Sequence, residues 1–393
     1  MTAARRVLLA IEVFTGYQRR IIRGVIDHVR QHHLPWHFLF DHRPVPPERR
    51  FVEKLAPFTA AEGVIIHGHH GDPETAALLE DMARQGASVV VAGDLSSRWP
   101  CVVPDEQAVA RLAYDHLRSR GFRRLGYVGR SYAASDVFER RREAFRRLAE
   151  RDGLPVTVAD DLAGDNISGS PAALVAWVRS LTLPIGVFAG NIDVARRVVL
   201  ACAEANVRVP TDLAVIGVDP DDLFCELVQP SLSTIDHGMR SVGIEAARLL
   251  HGLMSGEPPP GRPIVVRPSG VETRLSTDTL AVDDPHVRTL LERLRRRHSQ
   301  ADLNIDDLLD DLPLSRRSME LRFRRALGHS IHDHLTHLRV ETAKGLLRRR
   351  TGQEPMKLFE VASRCGFTSS ARLSEAFLRV TGQRPGQWRQ RAG

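Results

Sequence analysis

The chain has 393 residues, 42% of them apolar and 26% charged, an ordinary globular composition for two or three domains that excludes a disordered or low-complexity protein. Its net charge of +7 is unevenly spread: residues 285–393 carry 22 Lys and Arg against 12 Asp and Glu, and the rest carries 33 against 36. A basic last quarter on a near-neutral body points to a polyanion partner for that quarter alone, the other reading being a solvated basic face.

The first apolar run, "RVLLAIEV", is interrupted by Glu12 and followed by no small-residue cleavage site, so it reads as a β-strand rather than a signal peptide. No run of ~18 apolar residues occurs, and no membrane span is expected. From there short apolar runs alternate with helix-period segments. "RVLLAIEV" precedes "GYQRRIIRGVIDHVRQHH"; "WHFLFD" precedes a Pro-rich loop and "RRFVEKLAPF"; "EGVIIHG" precedes "DPETAALLEDMARQG". "ASVVVAGD", "RRLGYVG" and "LPIGVFAG" each lead into a further helix, and "LAVIGVD" closes the series. Continuous apolar strands separated by helices predict parallel sheet covered on both faces, in a doubly wound α/β fold. The number of units predicts two similar lobes, the second starting near Gly121. The four cysteines (Cys101, Cys202, Cys225, Cys365) make no CxxC pair and read as buried thiols of a cytosolic protein.

In such folds ligands bind beyond the C-terminal ends of the strands. The residues there are Tyr17, Gln18 and Arg19, then His67 and His69, Asp94, Arg130 and Ser131, Arg141 one turn into the next helix, Asn191, Asp193 and Asp219. Carboxylate and amide oxygens beside Arg donors suit neighbouring hydroxyls. Asn191 and Asp219 also stand where a helix N-cap is expected. "HGHH" (His67–His70) has no Cys, Asp or Glu partner at zinc-ligand spacing. No G-x-S-x-G, Walker A or G-x-G-x-x-G motif appears after a strand, so no cofactor is called for and nothing argues for an enzyme.

"NIDVARRVVLACAEANVRVPTDLAVIGVDPDDL" followed by "QPSLSTIDHGMRSVGIEAARLLHGLMSGEPP" resembles the sensor domain of the LacI family and of periplasmic sugar-binding proteins. The resemblance implies a type I periplasmic-binding-protein-like fold over residues 5–276. Lobe one would take 5–120 and 237–260, and lobe two 121–236 and a last strand within 261–276. It also implies that the Asn, the Asp and an Arg placed like Arg141 contact sugar hydroxyls. The usual Asn-Asp pair is here Asn191-Ile192-Asp193, which leaves Asp193 as substitute acid or helix cap.

Residues 277–284 are polar and turn-rich and read as a linker. Helical patterns follow: "DPHVRTLLERLRRRHS", "NIDDLLDDL", "SRRSMELRFRRALG", "SIHDHLTHLRVETAKGLLRRR" and "VASRCGFTSSARLSEAFLRVTG". Ser315 and Ser369 start comparable helices, with Met319 and Phe323 after the first and Leu373 and Phe377 after the second. This is a duplicated helix-turn-helix, whose second helices enter successive major-groove segments about 34 Å apart. Arg316, Arg317, Glu320 and Arg324 point outward from the first reader, and Ser370, Ala371, Arg372, Ser374, Glu375 and Arg379 from the second. Arg and Glu near the helix start suit guanine and cytosine edges; Arg324, Arg325, Arg379 and Arg389, further along, suit phosphates. "VASRCGFTSSARLSEAFLRVTGQRPGQWR" closely resembles the AraC/XylS family of regulators, with Gly366-Phe367, Ser369, Phe377, Gly382, Pro385 and Trp388-Arg389 in order.

An AraC-type tail on a LacI-type sensor is similar to the arrangement in xylose operon regulators. That resemblance implies a cytoplasmic, sugar-controlled activator that binds operator DNA as a homodimer and acts on RNA polymerase. The effector would be a monosaccharide, D-xylose by resemblance. The alternatives are another effector, or a sugar-converting enzyme fused to a DNA-binding tail.

Overall fold

The structure, a computed structural model, describes residues 4–41, 51–129, 137–159, 171–279, 282, 284–348 and 356–392. The apolar runs become two six-stranded sheets. The first takes β1 (Arg5–Ala10), β2 (Trp36–Leu39), β3 (Gly63–Ile66), β4 (Ser88–Ala92) and β5 (Cys101–Pro104). The second takes β6 (Leu125–Val128), β7 (Val156–Ala159), β8 (Ile185–Ala189), β9 (Leu213–Val218) and β10 (Ser233–Asp236). The chain then returns to the first sheet with β11 (Ile264–Val266) and to the second with β12 (Gly270–Glu272). The orders are β11-β5-β4-β3-β1-β2 and β12-β10-β9-β8-β6-β7. The pairs are parallel, with β10–β12 the antiparallel exception among the described residues. The central strands are buried on both faces, which is why they read as unbroken apolar runs rather than alternating ones.

Nine helices lie among the described residues of the two lobes: α1 (Gly16–Gln31), α2 (Phe51–Leu55), α3 (Pro73–Arg84), α4 (Glu106–Ser119), α5 (Val137–Arg151), α6 (Pro171–Ser180), α7 (Ile192–Ala205), α8 (Asp222–Glu226) and α9 (Met239–Met254). Ile21 and Val25 of α1 and Val242, Ala246 and Leu250 of α9 cover one face of the first sheet. Phe51, Leu55, Leu79 and Met82 of α2 and α3 cover the other. The helices α1 and α9 touch backbone to backbone. A methyl group on Gly24 would stand 1.9 Å from the Arg240 carbonyl oxygen, and one on Gly243 would stand 2.0 Å from that of Ile21.

Two lobe assignments change. The sequence reading starts lobe two near Gly121, but Val109, Ala113 and Leu117 of α4 pack with Phe145, Phe188 and Ile216 of the second lobe. Both faces of the first sheet are already taken, so the apolar stripe of α4 is buried on the second, and the chain crosses at Asp105. The single last strand expected within 261–276 is two strands, one for each sheet. The lobes are therefore joined by three crossings, at Asp105, at His237–Gly238 and at residues 267–269.

The remaining helices are α10 (Pro285–Arg297), α11 (Arg316–Leu327), α12 (Ile331–Arg348), α13 (Leu358–Arg364), α14 (Ser370–Thr381) and α15 (Pro385–Ala392). They build two separate cores. Val287, Leu290, Leu294, Met319 and Phe323 form the first; Val361, Ala362, Leu373, Phe377 and Trp388 form the second. The helix α12 belongs to both, giving Ile331 and Leu335 to the first and Val340, Ala343 and Leu347 to the second. The segment "NIDDLLDDL", read as a helix, keeps only one 3-10 turn, Asp306–Leu308. Its Asp residues are poor helix formers that compete for backbone donors, and the Asn304 carbonyl side chain takes the Asp306 N–H at 3.2 Å.

Replacing Gly243 with Ala is expected to cost about 1–3 kcal/mol or more by forcing α1 and α9 apart. At roughly 2–4 °C per kcal/mol, a thermal melt should fall by several degrees; an unshifted melt would mean the helices separate without loss.

Candidate functional site

The cleft between the lobes gathers Tyr17, His67, Asp94 and Asp219. The Tyr17 backbone N–H donates across the lobes to Asp219 Oδ2 at 3.1 Å. The Tyr17 ring meets His67 edge-on at 5.2 Å and His237 at 6.4 Å. His67 Nδ1 lies 2.7 Å from the Ala92 carbonyl oxygen and 3.3 Å from Asp94 Oδ2, and that oxygen accepts the Gly68 N–H at 3.0 Å. His67, Asp94 and Asp219 stand just beyond the ends of β3, β4 and β9, and Tyr17 opens α1, on the side of the sheets where such folds place ligands.

Other expected residues are engaged elsewhere. Gln18 accepts the Thr15 N–H at 3.1 Å, fixing the start of α1. Asn191 caps α7 by accepting the Val194 N–H at 2.8 Å. Asp193, one residue into that helix, pairs with Arg196 at 3.0 Å and Arg197 at 3.4 Å. Arg19 reaches across the lobes to Asp221 at 2.8 Å. Arg141 is buried with its guanidinium on the buried Glu106 carboxylate, and its Nη1 donates to the Gly190 carbonyl at 2.6 Å. Arg130 and Ser131 lie outside the described residues. Of the loop histidines, His69 pairs with Asp72 at 3.0 Å and stacks on Phe51, and His70 Nε2 lies 3.0 Å from the Leu95 carbonyl oxygen.

Asp219 is the unusual member. It is 4% exposed and adopts φ +82°, and it does not cap a helix: Asp221 caps α8 instead. A non-glycine side chain held in that region signals a local constraint. Its Oδ1 has no hydrogen-bond partner among the described residues. Burial pushes its pKa up to about 7; Arg20 pulls it down, Asp236 and Asp221 push it up, and the Tyr17 N–H pulls it down. His237, on the second crossing, is buried too, and its Nδ1 has no partner among the described residues. Burial first, then Arg141, Arg20 and His67, pushes its pKa well below 6.5, so the ring is neutral. Sequence reading passed over Glu106, Asp221 and His237. Glu106 and His237 sit beside lobe crossings whose positions only the folded topology reveals. Asp221 was legible as a cap, three residues before Phe224.

The second face is on the tail. Ser315 and Ser369 cap α11 and α14 by accepting the N–H groups of Ser318 at 3.3 Å and Arg372 at 3.2 Å. In the first reader Arg316 pairs with Asp306 at 2.7 Å and Arg324 with Glu320 at 3.2 Å, while Arg317 and Leu321 stand exposed. In the second, Ala371, Arg372, Glu375 and Arg379 are exposed, and the Ser374 hydroxyl donates to the Ser370 carbonyl at 2.9 Å. Gly366 makes the turn before α14 at φ +79°, and a methyl there would lie 2.7 Å from the His298 carbonyl oxygen. Arg389, expected on phosphate, donates to the Met356 carbonyl at 2.6 Å.

Residues 114–277 match the periplasmic binding protein-like domain, and residues 308–391 match a helix-turn-helix domain. The xylose operon regulatory protein of Haemophilus influenzae is 26% identical over 372 residues, covering 93% of this chain and 92% of its own. That of Escherichia coli K12 is 26% identical over 394 residues, covering 99% and 97%. The chain is a full-length homologue of the xylose operon regulators. It joins a periplasmic binding protein-like domain to a helix-turn-helix domain, and these two relatives are named as operon regulatory proteins. In fold, the regulator matches a structure described as the xylose-binding transcription activator XylR, with TM-score 0.61 at 24% identity, covering 99% of this chain and 98% of that one. Among its described residues no helix is long and apolar enough to cross a membrane, and no group of three or more His, Cys, Asp or Glu is placed to hold a metal ion.

Two outcomes are expected of the regulator. A carboxyl whose pKa is raised by folding keeps its full contribution to stability below its unfolded pKa and loses it as pH rises through the folded one. Asp219→Asn should therefore raise the melting temperature of the sugar-free protein at pH 8. The gain should shrink on acidification through the window from about 7 down to about 4. A gain independent of pH would contradict the assignment. Arg372→Ala should lower affinity for the operator by about 1–3 kcal/mol, and for random DNA by less; equal losses in a binding titration would make Arg372 a phosphate contact.

Proposed function

We propose that the regulator is a transcription activator controlled by D-xylose bound between the lobes, with Tyr17, His67, Asp94, Asp219 and His237 facing the sugar. The observation that carries this reading is a pair of buried atoms without partners among the described residues, Asp219 Oδ1 and His237 Nδ1, on two residues that both meet Tyr17. Buried polar atoms normally find partners, and sugar hydroxyls can both donate to the carboxylate and pair with a neutral imidazole. Arg19, Arg20 and Arg141 are already engaged by Asp221, Asp236 and Glu106. That pairing favours a neutral polyol over a phosphorylated or acidic sugar. Gln18, Asn191 and Asp193 support the cleft by fixing the starts of α1 and α7. The two relatives named as xylose operon regulatory proteins supply the reason for choosing xylose.

Residues 5–276 are taken as the sensor, 277–284 as the linker and 285–393 as the DNA reader. The second reader, with Arg372 and Glu375 exposed, is the main source of base contacts. In the first, Arg317 is the exposed candidate. The regulator works as a homodimer in the cytoplasm and acts on RNA polymerase. Exposed Leu223, Phe224 and Leu227 on and beside α8 support the dimer.

The test is calorimetric titration of the purified protein with a panel of monosaccharides. D-xylose is expected to bind, and Asp219→Ala to weaken it by about 10- to 100-fold, the worth of a charge-assisted hydrogen bond. Binding of a different sugar alone would replace xylose as the effector. Unchanged affinity in the variant would remove Asp219 from the site.

A further inference from the structure

The DNA reader is docked on the sensor, and its two halves are held by different parts of it. Arg123, just before β6 in the body of lobe two, donates to the Arg325 carbonyl oxygen at the end of α11. The second half is held by the third lobe crossing. Trp388 Nε1, on α15, donates to the Ser269 carbonyl oxygen at 2.7 Å. Lys344 of α12 is 6% exposed and lies over the start of β12, where a methyl on Gly270 would stand 3.3 Å from its Nζ.

Trp388 faces both ways. Its ring is 1% exposed and meets Phe377 edge-on at 5.9 Å, closing the core beneath α14. Its N–H leaves that core and ends on the sensor. The residue it reaches is part of the hinge. The Ser269 N–H donates to the Asp236 carbonyl oxygen at 2.8 Å, and the Asp105 N–H donates to that of Val266 at 2.8 Å. The third crossing and the strand end before it are thus bonded to the other two, to Asp105 on one side and to the end of β10 on the other. Lobe closure turns the backbone at the crossings, so it turns the Ser269 carbonyl. The first half, anchored on Arg123, follows lobe two instead.

We propose that Trp388, with Lys344 beside it, is a positioning residue that transmits the state of the sensor hinge to the second DNA reader. When the hinge turns, the Ser269 carbonyl either carries α15 and α14 with it or releases them. In both cases the second reader changes its placement relative to the first. The size of the sugar-driven effect rests on the xylose reading above; the contact itself does not.

Trp388→Phe keeps an aromatic ring in the core and deletes the N–H. In the full-length protein it should leave xylose affinity within about twofold of the parent. The ratio of operator affinities with and without saturating xylose should fall at least about fivefold toward unity, within the ordinary range of coupling between sites. Phe377→Leu, which loosens the same core but spares the bond, should lower the melting temperature and leave that ratio unchanged. An unchanged ratio in Trp388→Phe, or an equal loss in Phe377→Leu, overturns the proposal. If Trp388→Phe does not fold, Lys344→Met, which keeps the aliphatic stem, should lower the ratio in the same way, and an unchanged ratio again overturns it. If the parent itself does not respond to xylose, the effector reading fails separately. Hydrogen exchange on the sugar-free protein then decides: the Ser269 amide and those of α15 should exchange faster in whichever variant folds, and equal exchange overturns the proposal.

Discussion

Two separate, mainly parallel sheets share one chain that crosses between them three times, and the rest of the molecule is arranged around that constraint. The crossings at Asp105, His237–Gly238 and 267–269 are held together by backbone hydrogen bonds from Asp105 to Val266 and from Ser269 to Asp236. A bundle of short extended segments can twist as a unit while the packed lobes on either side stay rigid, which is the physical basis of hinge closure. It also explains why chemistry collects nearby. The crossing at His237 brings an imidazole into the cleft, and the crossing at 105 places Glu106 against Arg141.

The cleft is governed by charges that are mostly balanced in place. Arg19, Arg20 and Arg141 each have a carboxylate partner, and two of those three pairs, Arg19–Asp221 and Arg20–Asp236, join α1 to residues of lobe two. Asp219 stands apart because its buried oxygen has no such partner. Breaking a buried pair leaves an uncompensated charge, whereas an acceptor left open in an otherwise satisfied site is available to a ligand without that penalty. On the proposed reading, the side chains that favour a neutral ligand also include those that bridge the lobes.

Much of this was legible in the sequence because buried parallel strands and capped amphipathic helices leave strong local patterns. "GVII", "VVVAG" and "LAVIGV" mark strands, and Ser315 and Ser369 mark both reading helices. What escaped was set by tertiary competition. The lobe of α4 depends on which sheet face is still open, and nothing in "EQAVARLAYDHLRS" encodes that. The segment "NIDDLLDDL" has a helical apolar pattern, yet the Asn304 side chain takes a backbone donor at its start and only one 3-10 turn forms. Site residues were harder still. The same Asn191 that looks like a ligand is also an ideal cap, and only the 2.8 Å bond to Val194 shows where its side-chain oxygen is spent.

The helix α12 is 18 residues long and lends its two ends to two different cores. At 1.5 Å per residue it is a strut of about 27 Å that cannot be stretched or rotated without opening one core or the other. The distance and angular phase between the reading helices are thus part of the folding free energy of the protein. Operators recognised by such a molecule can drift in base sequence, one contact at a time. They cannot gain or lose a base pair between the two contacted segments without bending or twisting the DNA to restore the phase.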